Sequence, residues 1–376
     1  RQLLVIFQFS ISIMLIIGTI VAYLQINYFF DKPLGYNQDN LFVISNESNK
    51  VRTNIESFKS ILYQDPEVHE ITTSGAIPAA LNFSDMGFKT EEMEDVISSI
   101  YIGVGYNFFS TYDIEFIAGR AFSKEYGLDT ANKYIVNETV LRKIGITNPK
   151  DAIGVHYGSF NREGELELGE IIGVVKDFHF KPLDKEIEPV SFVLNEDWME
   201  YITIRYETEN LPSFIEKMET NWMNNFPHEA YTYFILKDRY ESLYVNESRM
   251  KNILLFFTFL AIFIGCLGLF GLAAFVAQQK SKEIGIRKVH GAPVSSIILL
   301  LTKELTYWVL LANIIAWPMA YYFLDNWLMN FHYRITMPYW VFFASGILAL
   351  LLALITVSYR AYVSATTNPL DAIKDE

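Results

Sequence analysis

The feature that most constrains this chain is the run from Leu3 to Phe29, which holds no charged residue. At ~1.5 Å rise per residue a helix of that length exceeds the ~30 Å hydrocarbon thickness of a bilayer. A second uncharged run, Ile253 to Ala277, is almost as long. Two further apolar stretches, about Leu305 to Leu324 and about Tyr339 to Tyr359, complete four predicted membrane spans. Trp317-Pro318 lies inside the third, where a local kink is expected. Trp308, Trp327, Trp340, Tyr321, Tyr322 and Tyr339 fall near span ends, where amphipathic rings prefer the interface. In the second span Gly265, Gly268 and Gly271 form a stripe at i, i+3, i+6. Close approach of another helix and the general abundance of glycine in membrane helices both account for it.

Short loops set the orientation. The loop after the second span carries Lys280, Lys282, Arg287 and Lys288 against Glu283, whereas Asp325 to Pro338 holds only Asp325 and Arg334. The positive-inside rule places the first of these loops in the cytoplasm, with both termini on the same side. The segment from Asp31 to Asn252 then lies outside. It holds 21 of the 30 Lys and Arg and 37 of the 43 Asp and Glu, a net charge of −16. That argues against nucleic acid and against anionic headgroups as partners.

The outer segment reads as an α+β domain. Leu41–Ser45, Val68–Thr73, Tyr201–Tyr206 and Tyr231–Leu236 are predicted strands, and Asn54–Tyr63 and Leu211–Phe226 predicted helices. Two strand–helix–strand units, one at each end, predict a split layer with a strand-rich insertion at about 85–194. Its best strands are Ile97–Val104, Lys133–Val136 and Glu170–Val175, with a short helix at Val140–Ile144. A polar helix, Arg239 to Asn252, runs into the second span with no proline or glycine before Gly265. The prediction is one uninterrupted stalk helix.

Chemistry is not written into this chain. The single cysteine, Cys266, rules out an intrachain disulfide, and no pair among the six histidines has metal-ligand spacing. Neither a G-x-S-x-G elbow, an H-E-x-x-H pair nor a Walker loop is present. Asp177 and His179 share a face of an extended segment, but no nucleophile accompanies them. No catalytic residue, cofactor or metal is expected.

The most specific segment is Glu283-Ile-Gly-Ile-Arg-Lys-Val-His-Gly-Ala292, where apolar residues interleave with charges directly after a span. A solvated loop accounts for the charges; Ile284, Ile286 and Val289 read better as a contact surface. This segment resembles the coupling motif of MacB/FtsX-type ABC transporter permeases, with Lys282, Glu283, Ile284, Gly285, Ile286, Arg287, Lys288, Val289, Gly291 and Ala292 as its candidate ATPase-coupling residues. His290 departs from that pattern, where a small or apolar residue is more usual. The tail Asn368-Pro369-Leu-Asp-Ala-Ile373 is similar to the family's cytoplasmic ending. Ala118-Gly-Arg-Ala-Phe-Ser123, Ile135-Val-Asn-Glu138 and Gly173-Val-Val-Lys-Asp-Phe-His179 resemble its recurring outer segments.

The resemblance implies a porter-like split β-α-β layer with an inserted sabre-like subdomain. The expected organisation is a first span at 1–30, a MacB-like core domain at 31–252 with stalk helix 239–252, and an FtsX-like region at 253–376 with coupling loop 278–296. It implies a multi-pass protein of the bacterial inner membrane, working with a cytosolic ABC ATPase and as a homodimer or with a second permease half. An extracytoplasmic adaptor or substrate protein is a further implied partner. The implied function is mechanotransmission for export or extraction of an antimicrobial, peptide or lipoprotein. The alternative is FtsX-like regulation of an outer partner such as a cell-wall hydrolase. Beginning at Arg1, the sequence also resembles the second half of a double-length permease, or a four-span member without its start.

Overall fold

The computed structural model describes residues 2–80, 83–126, 132–160, 163–183, 185–196, 198–280, 283, 286–287 and 293–366. The chain divides into two compact units, Lys32–Tyr244 and a discontinuous unit of Arg1–Asp31 with Val245–Glu376.

The discontinuous unit is built from helices α1 (Gln2–Asp31), α8 (Val245–Gln279), α9 (Val294–Leu328) and α10 (Trp340–Thr366). Each contains a stretch long and apolar enough to cross a membrane. Helix α9 continues through Pro318. Helix α1 packs against α8, α9 and α10, and Ile13, Ile17 and Val21 on it are fully buried. Without a hydrophobic driving force inside lipid, close packing and hydrogen bonds must hold such helices together. Both are present. A Cβ on Gly265 would meet Ser12 Oγ at 3.6 Å, and one on Gly268 would meet Gln8 Oε1 at 2.6 Å, whereas Gly271 faces open space. Of the three striped glycines, only Gly268 leaves too little room for a side chain against α1, and Gly265 leaves space for a Cβ in ordinary contact. Thr19 and Thr258 share a hydroxyl hydrogen bond at 2.7 Å, and Ser10 Oγ donates to the Ala312 carbonyl at 3.3 Å. Gln25, fully buried, donates to the Tyr333 carbonyl at 3.0 Å and accepts from Ile335 N–H at 2.9 Å. Its amide thus fastens the loop between α9 and α10.

The other unit holds eleven described strands. Strands β1 (Leu41–Ser45), β2 (Val68–Ser74), β10 (Tyr201–Tyr206) and β11 (Thr232–Ile235) form an antiparallel layer in the order β11-β1-β10-β2. One face is covered by α3 (Ile55–Leu62) and α6 (Leu211–Asn225). Helix α6 starts where Asn210 Oδ1 accepts from Ser213 N–H and Pro212 occupies the first turn. Its buried Phe214, Met218 and Trp222 repeat every four residues, the spacing of one helix face. Phe58 of α3 meets Trp222 and Phe226 edge-on, with ring centroids 5.8 and 5.1 Å apart.

Between β2 and β10 the chain builds β3 (Ser84–Thr90), β4 (Ile97–Val104), β5 (Phe116–Gly119), β6 (Lys133–Asn137), β7 (His156–Phe160), β8 (Leu166–Val175) and β9 (Val190–Leu194). The pairings β4-β3-β7-β8-β6-β9 return to β4, so six strands close into a ring. Closure removes the exposed edges that an open sheet would carry. Phe88 and Tyr157 stack in its core at 5.0 Å, and the buried hydroxyls of Tyr157, Ser191 and Ser99 satisfy one another at 2.9 Å. The remaining helices of this unit are the short α2 (Asn49–Thr53), α4 (Phe108–Thr111), α5 (Glu138–Lys143) and α7 (Leu236–Ser242).

One expectation fails here. The segment 239–252 is not an uninterrupted stalk helix: α7 ends at Ser242, Leu243 and Tyr244 form a turn, and α8 starts at Val245. The N–H groups of Leu243 and Tyr244 bond to the carbonyls of Tyr240 and Glu241, three residues back. Tyr240 and Tyr244 are both buried there, and Leu183 N–H donates to the Tyr244 hydroxyl at 2.9 Å. That tertiary contact anchors the turn within the Lys32–Tyr244 unit. The strand expected over Tyr231–Leu236 also stops at Ile235, because Leu236 opens α7.

Candidate functional site

Of the loop residues singled out above, Glu283, Ile286 and Arg287 are described. Lys282, Ile284, Gly285, Lys288, Val289, Gly291, Ala292 and the tail residues Asn368 and Pro369 lie outside the described residues. Arg287 pairs with Glu283 at 2.7 Å across one helical turn, with the acid N-terminal to the base. Both side chains are nearly half exposed, so the pair adds only ~0.3–0.5 kcal/mol. Ile286, beside it, leaves 56% of its surface exposed. An apolar side chain presented next to a fixed ion pair is a surface suited to protein contact.

The three outer segments quoted above come together at one corner of the Lys32–Tyr244 unit. Strand β5 lies along β8 with Gly119 opposite Gly173, and β6 lies along its other edge with Val136 opposite Val174. Glu138 Oε2 accepts from Asp177 N–H at 2.9 Å. The Asp177 carboxylate in turn accepts from Thr139 N–H at 2.9 Å, from the Thr139 hydroxyl, and from Arg142 at 2.6 Å. Asp177 therefore fixes the first turn of α5 and is fully engaged, as a structural carboxylate would be. His179 is buried, and its backbone N–H donates to the Leu34 carbonyl at 2.7 Å.

That last bond leads to residues the sequence did not single out. The chain passes between the two units at Asp31–Lys32 and again at Tyr244–Val245. The segment after the first crossing lies against the Asp177–His179 corner. Gly35, at φ +82°, sits where a Cβ would be 2.6 Å from Phe178 Cβ and 2.9 Å from its Cα. Tyr36 packs edge-on against Tyr112 and Phe178, and Asn37 N–H donates to the Tyr112 carbonyl at 2.8 Å. The segment before the second crossing is held likewise. Lys237 pairs with Asp39 at 2.9 Å, and the Tyr240 and Tyr244 rings meet at 5.3 Å. Burial pushes the phenols of Tyr36 and Tyr240 well above the usual tyrosine range, with neighbouring phenols adding to it. They act as neutral packing groups across the physiological range. The only sequence signal for this corner was a proline two residues before a glycine, Pro33 and Gly35.

Residues 255–369 match the family described as FtsX-like permease C-terminal. That stretch encloses Glu283, Ile286, Arg287, Asn368 and Pro369 and most of the last three apolar helices. No curated protein matches the chain. Among solved structures, the periplasmic region of MacB from Actinobacillus actinomycetemcomitans is similar at 12% identity with a TM-score of 0.38, covering 56% of this chain and 94% of that one. The extracellular domain of the noncanonic ABC-type transporter YknZ from Gram-positive bacteria is similar at 13% identity with a TM-score of 0.34, covering 52% and 98%. Over residues 255–369, which hold most of the last three apolar helices, the chain is thus similar to the C-terminal region of FtsX-like permeases.

Proposed function

We propose that this chain is the permease subunit of an ABC transporter of the bacterial cytoplasmic membrane, with both termini and the Glu283–Arg287 loop inside and the Lys32–Tyr244 unit outside. A separate cytosolic ATPase docks on that loop, and its cycle is passed to the outer unit as movement. The permease functions as a homodimer or with a second permease half. Its work is export or extraction of a substrate such as an antimicrobial, a peptide or a lipoprotein. The observation that carries the reading is the exposed Ile286 beside the Glu283–Arg287 pair, inside the FtsX-like match. Two held crossings support it. Where both chain segments entering a unit are tied into its core, displacement of those segments moves the unit as a body, whereas slack linkers would absorb it.

The test is the double variant Ile286→Asp, Arg287→Glu in the full chain. Replacing the apolar contact and reversing the charge should abolish stimulation of the ATPase while leaving membrane insertion intact. Stimulation at the unmodified level would refute the docking assignment.

A further inference from the structure

Two stripes of side chains face one another between α9 and α10. Ile314, Trp317, Pro318 and Tyr321 stand at i, i+3, i+4 and i+7 of α9, and Tyr339, Phe342 and Phe343 form the opposite wall at the start of α10. Between them runs an apolar trough of about 460 Å³. We propose that this trough holds one acyl chain of a phospholipid from the leaflet on the Tyr339 side, retained by the protein rather than exchanging with the bulk bilayer. The proposal rests on the membrane reading of the four helices and not on ATPase docking, so the two are tested separately.

The walls are fixed by contacts within the chain. Trp317 Nε1 donates to Asn313 Oδ1 at 3.1 Å, and Asn313 Nδ2 donates to the Val309 carbonyl at 2.9 Å, which holds the indole in place. Gly346 admits this pair to α10, since a Cβ there would stand 2.6 Å from Asn313 Oδ1 and 3.2 Å from Trp317 Cζ2. The Trp317 ring meets Phe343 edge-on at 5.2 Å. Tyr321 and Tyr339 stack at one end, with ring centroids 6.4 Å apart. Ile314 and Phe343 are 67% and 60% exposed, so the chain itself does not cover the trough.

Depth and width identify the occupant. At ~1.5 Å per residue, Ile314 to Tyr321 spans about 10 Å, two-thirds of one leaflet of a ~30 Å hydrocarbon core. The two phenols stand at the end next to the loop between α9 and α10, where tyrosine prefers the membrane surface, and the apolar lining runs inward from there. A lipid has the same gradient of polarity. Spread over ~10 Å, the volume corresponds to a passage about 7 Å wide, too narrow for a second helix of ~10–12 Å and wide enough for a hydrocarbon chain. Inside a bilayer no hydrophobic effect favours one apolar surface over another, so retention must come from packing. A trough touches a chain on two walls and a floor, whereas the convex face of a helix touches it on one side, and dispersion contacts add up accordingly.

The experiment is native mass spectrometry of the full chain released from nanodiscs of palmitoyl-oleoyl phosphatidylglycerol. As collision energy rises, loosely held lipids leave first, and the expected result is one phospholipid persisting on the unmodified chain. Ile314→Trp, at an exposed position, fills the trough and should abolish that adduct. Phe343→Ala removes one wall and should lower the lipid-bearing fraction about tenfold. Ile355→Trp, on α10 and 66% exposed but outside the trough, adds the same bulk and should leave the adduct intact. All three positions are exposed, and either trough variant alone decides the matter. Loss of every lipid without a persistent one, undiminished retention in Ile314→Trp or Phe343→Ala, or loss in Ile355→Trp would overturn the proposal. So would a second copy of the chain held in place of the lipid and released by Ile314→Trp.

Discussion

Gly35 and Phe178 approach so closely that no side chain fits between them: a Cβ on Gly35 would lie 2.6 Å from the Cβ of Phe178. Backbone atoms, Phe178 Cα and the Asp177 carbonyl, stand at 2.9 and 3.1 Å, so rotamer change cannot relieve the clash. The φ of +82° adds a separate cost for any L side chain. Gly35→Ala should therefore destabilise the outer unit by about 2–5 kcal/mol, the sum of left-handed strain and overpacking. Chemical unfolding of the full chain in detergent, followed by tryptophan fluorescence, measures this. An unaltered midpoint would mean that the segment after the first crossing is not tied to the corner.

Asp177→Ala releases Thr139 N–H and Arg142 together. The expected loss is about 1–2 kcal/mol, as for a helix cap. Whatever work the chain performs should fall only in proportion to the folded fraction. A folded, inactive Asp177→Ala protein would contradict the structural role assigned to that carboxylate.

The glycines of α8 should respond in opposite directions. Gly271→Ala enters open space and should stabilise the helix by about 0.5–1 kcal/mol. Gly268→Leu enters the space of Gln8 and should separate α8 from α1, lowering the melting temperature in detergent. Equal behaviour of the two variants would show that the α1–α8 contact does not depend on small residues.

Tyr244→Phe leaves the buried Leu183 N–H without an acceptor. The outer unit should lose about 1–3 kcal/mol. Leu183 amide exchange with solvent, read by mass spectrometry on the peptide containing it, should accelerate in step with that loss. Unchanged protection would mean that the turn at Leu243–Tyr244 is held by ring packing alone.

The interior of the ring of strands shows where sequence reading runs out. Strands β4, β6 and β8 were legible because each carries a dense apolar run. Strand β3, Ser84–Thr90, was not, since its sequence SDMGFKT has two exposed polar residues at the start and a glycine at the centre. Its place is set by its two neighbours, with Phe88 buried against Tyr157. The loop motif is the converse case. Interleaved charge and apolarity at Glu283–Arg287 is a local pattern, so it was readable without any fold. The corner that holds Gly35 was not readable, because Phe178 lies far along the chain and only folding brings them together.

The sequence by itself determined the four apolar helices, the orientation expected of them, and two strand–helix–strand units. Each of these rests on a local quantity: an uncharged run long enough for a bilayer, a charge difference between short loops, or a hydrophobic repeat within one element. Tertiary structure decided the rest. The ring closes through parallel pairing of β4 with β9, residues about ninety positions apart, for which no local signal exists. Asp177 became a helix-fixing group because Thr139 stands beside it only in the folded unit. The predicted stalk broke at Leu243–Tyr244, where both N–H groups bond three residues back and the Tyr244 hydroxyl accepts from Leu183 N–H, a partner that only the fold brings there.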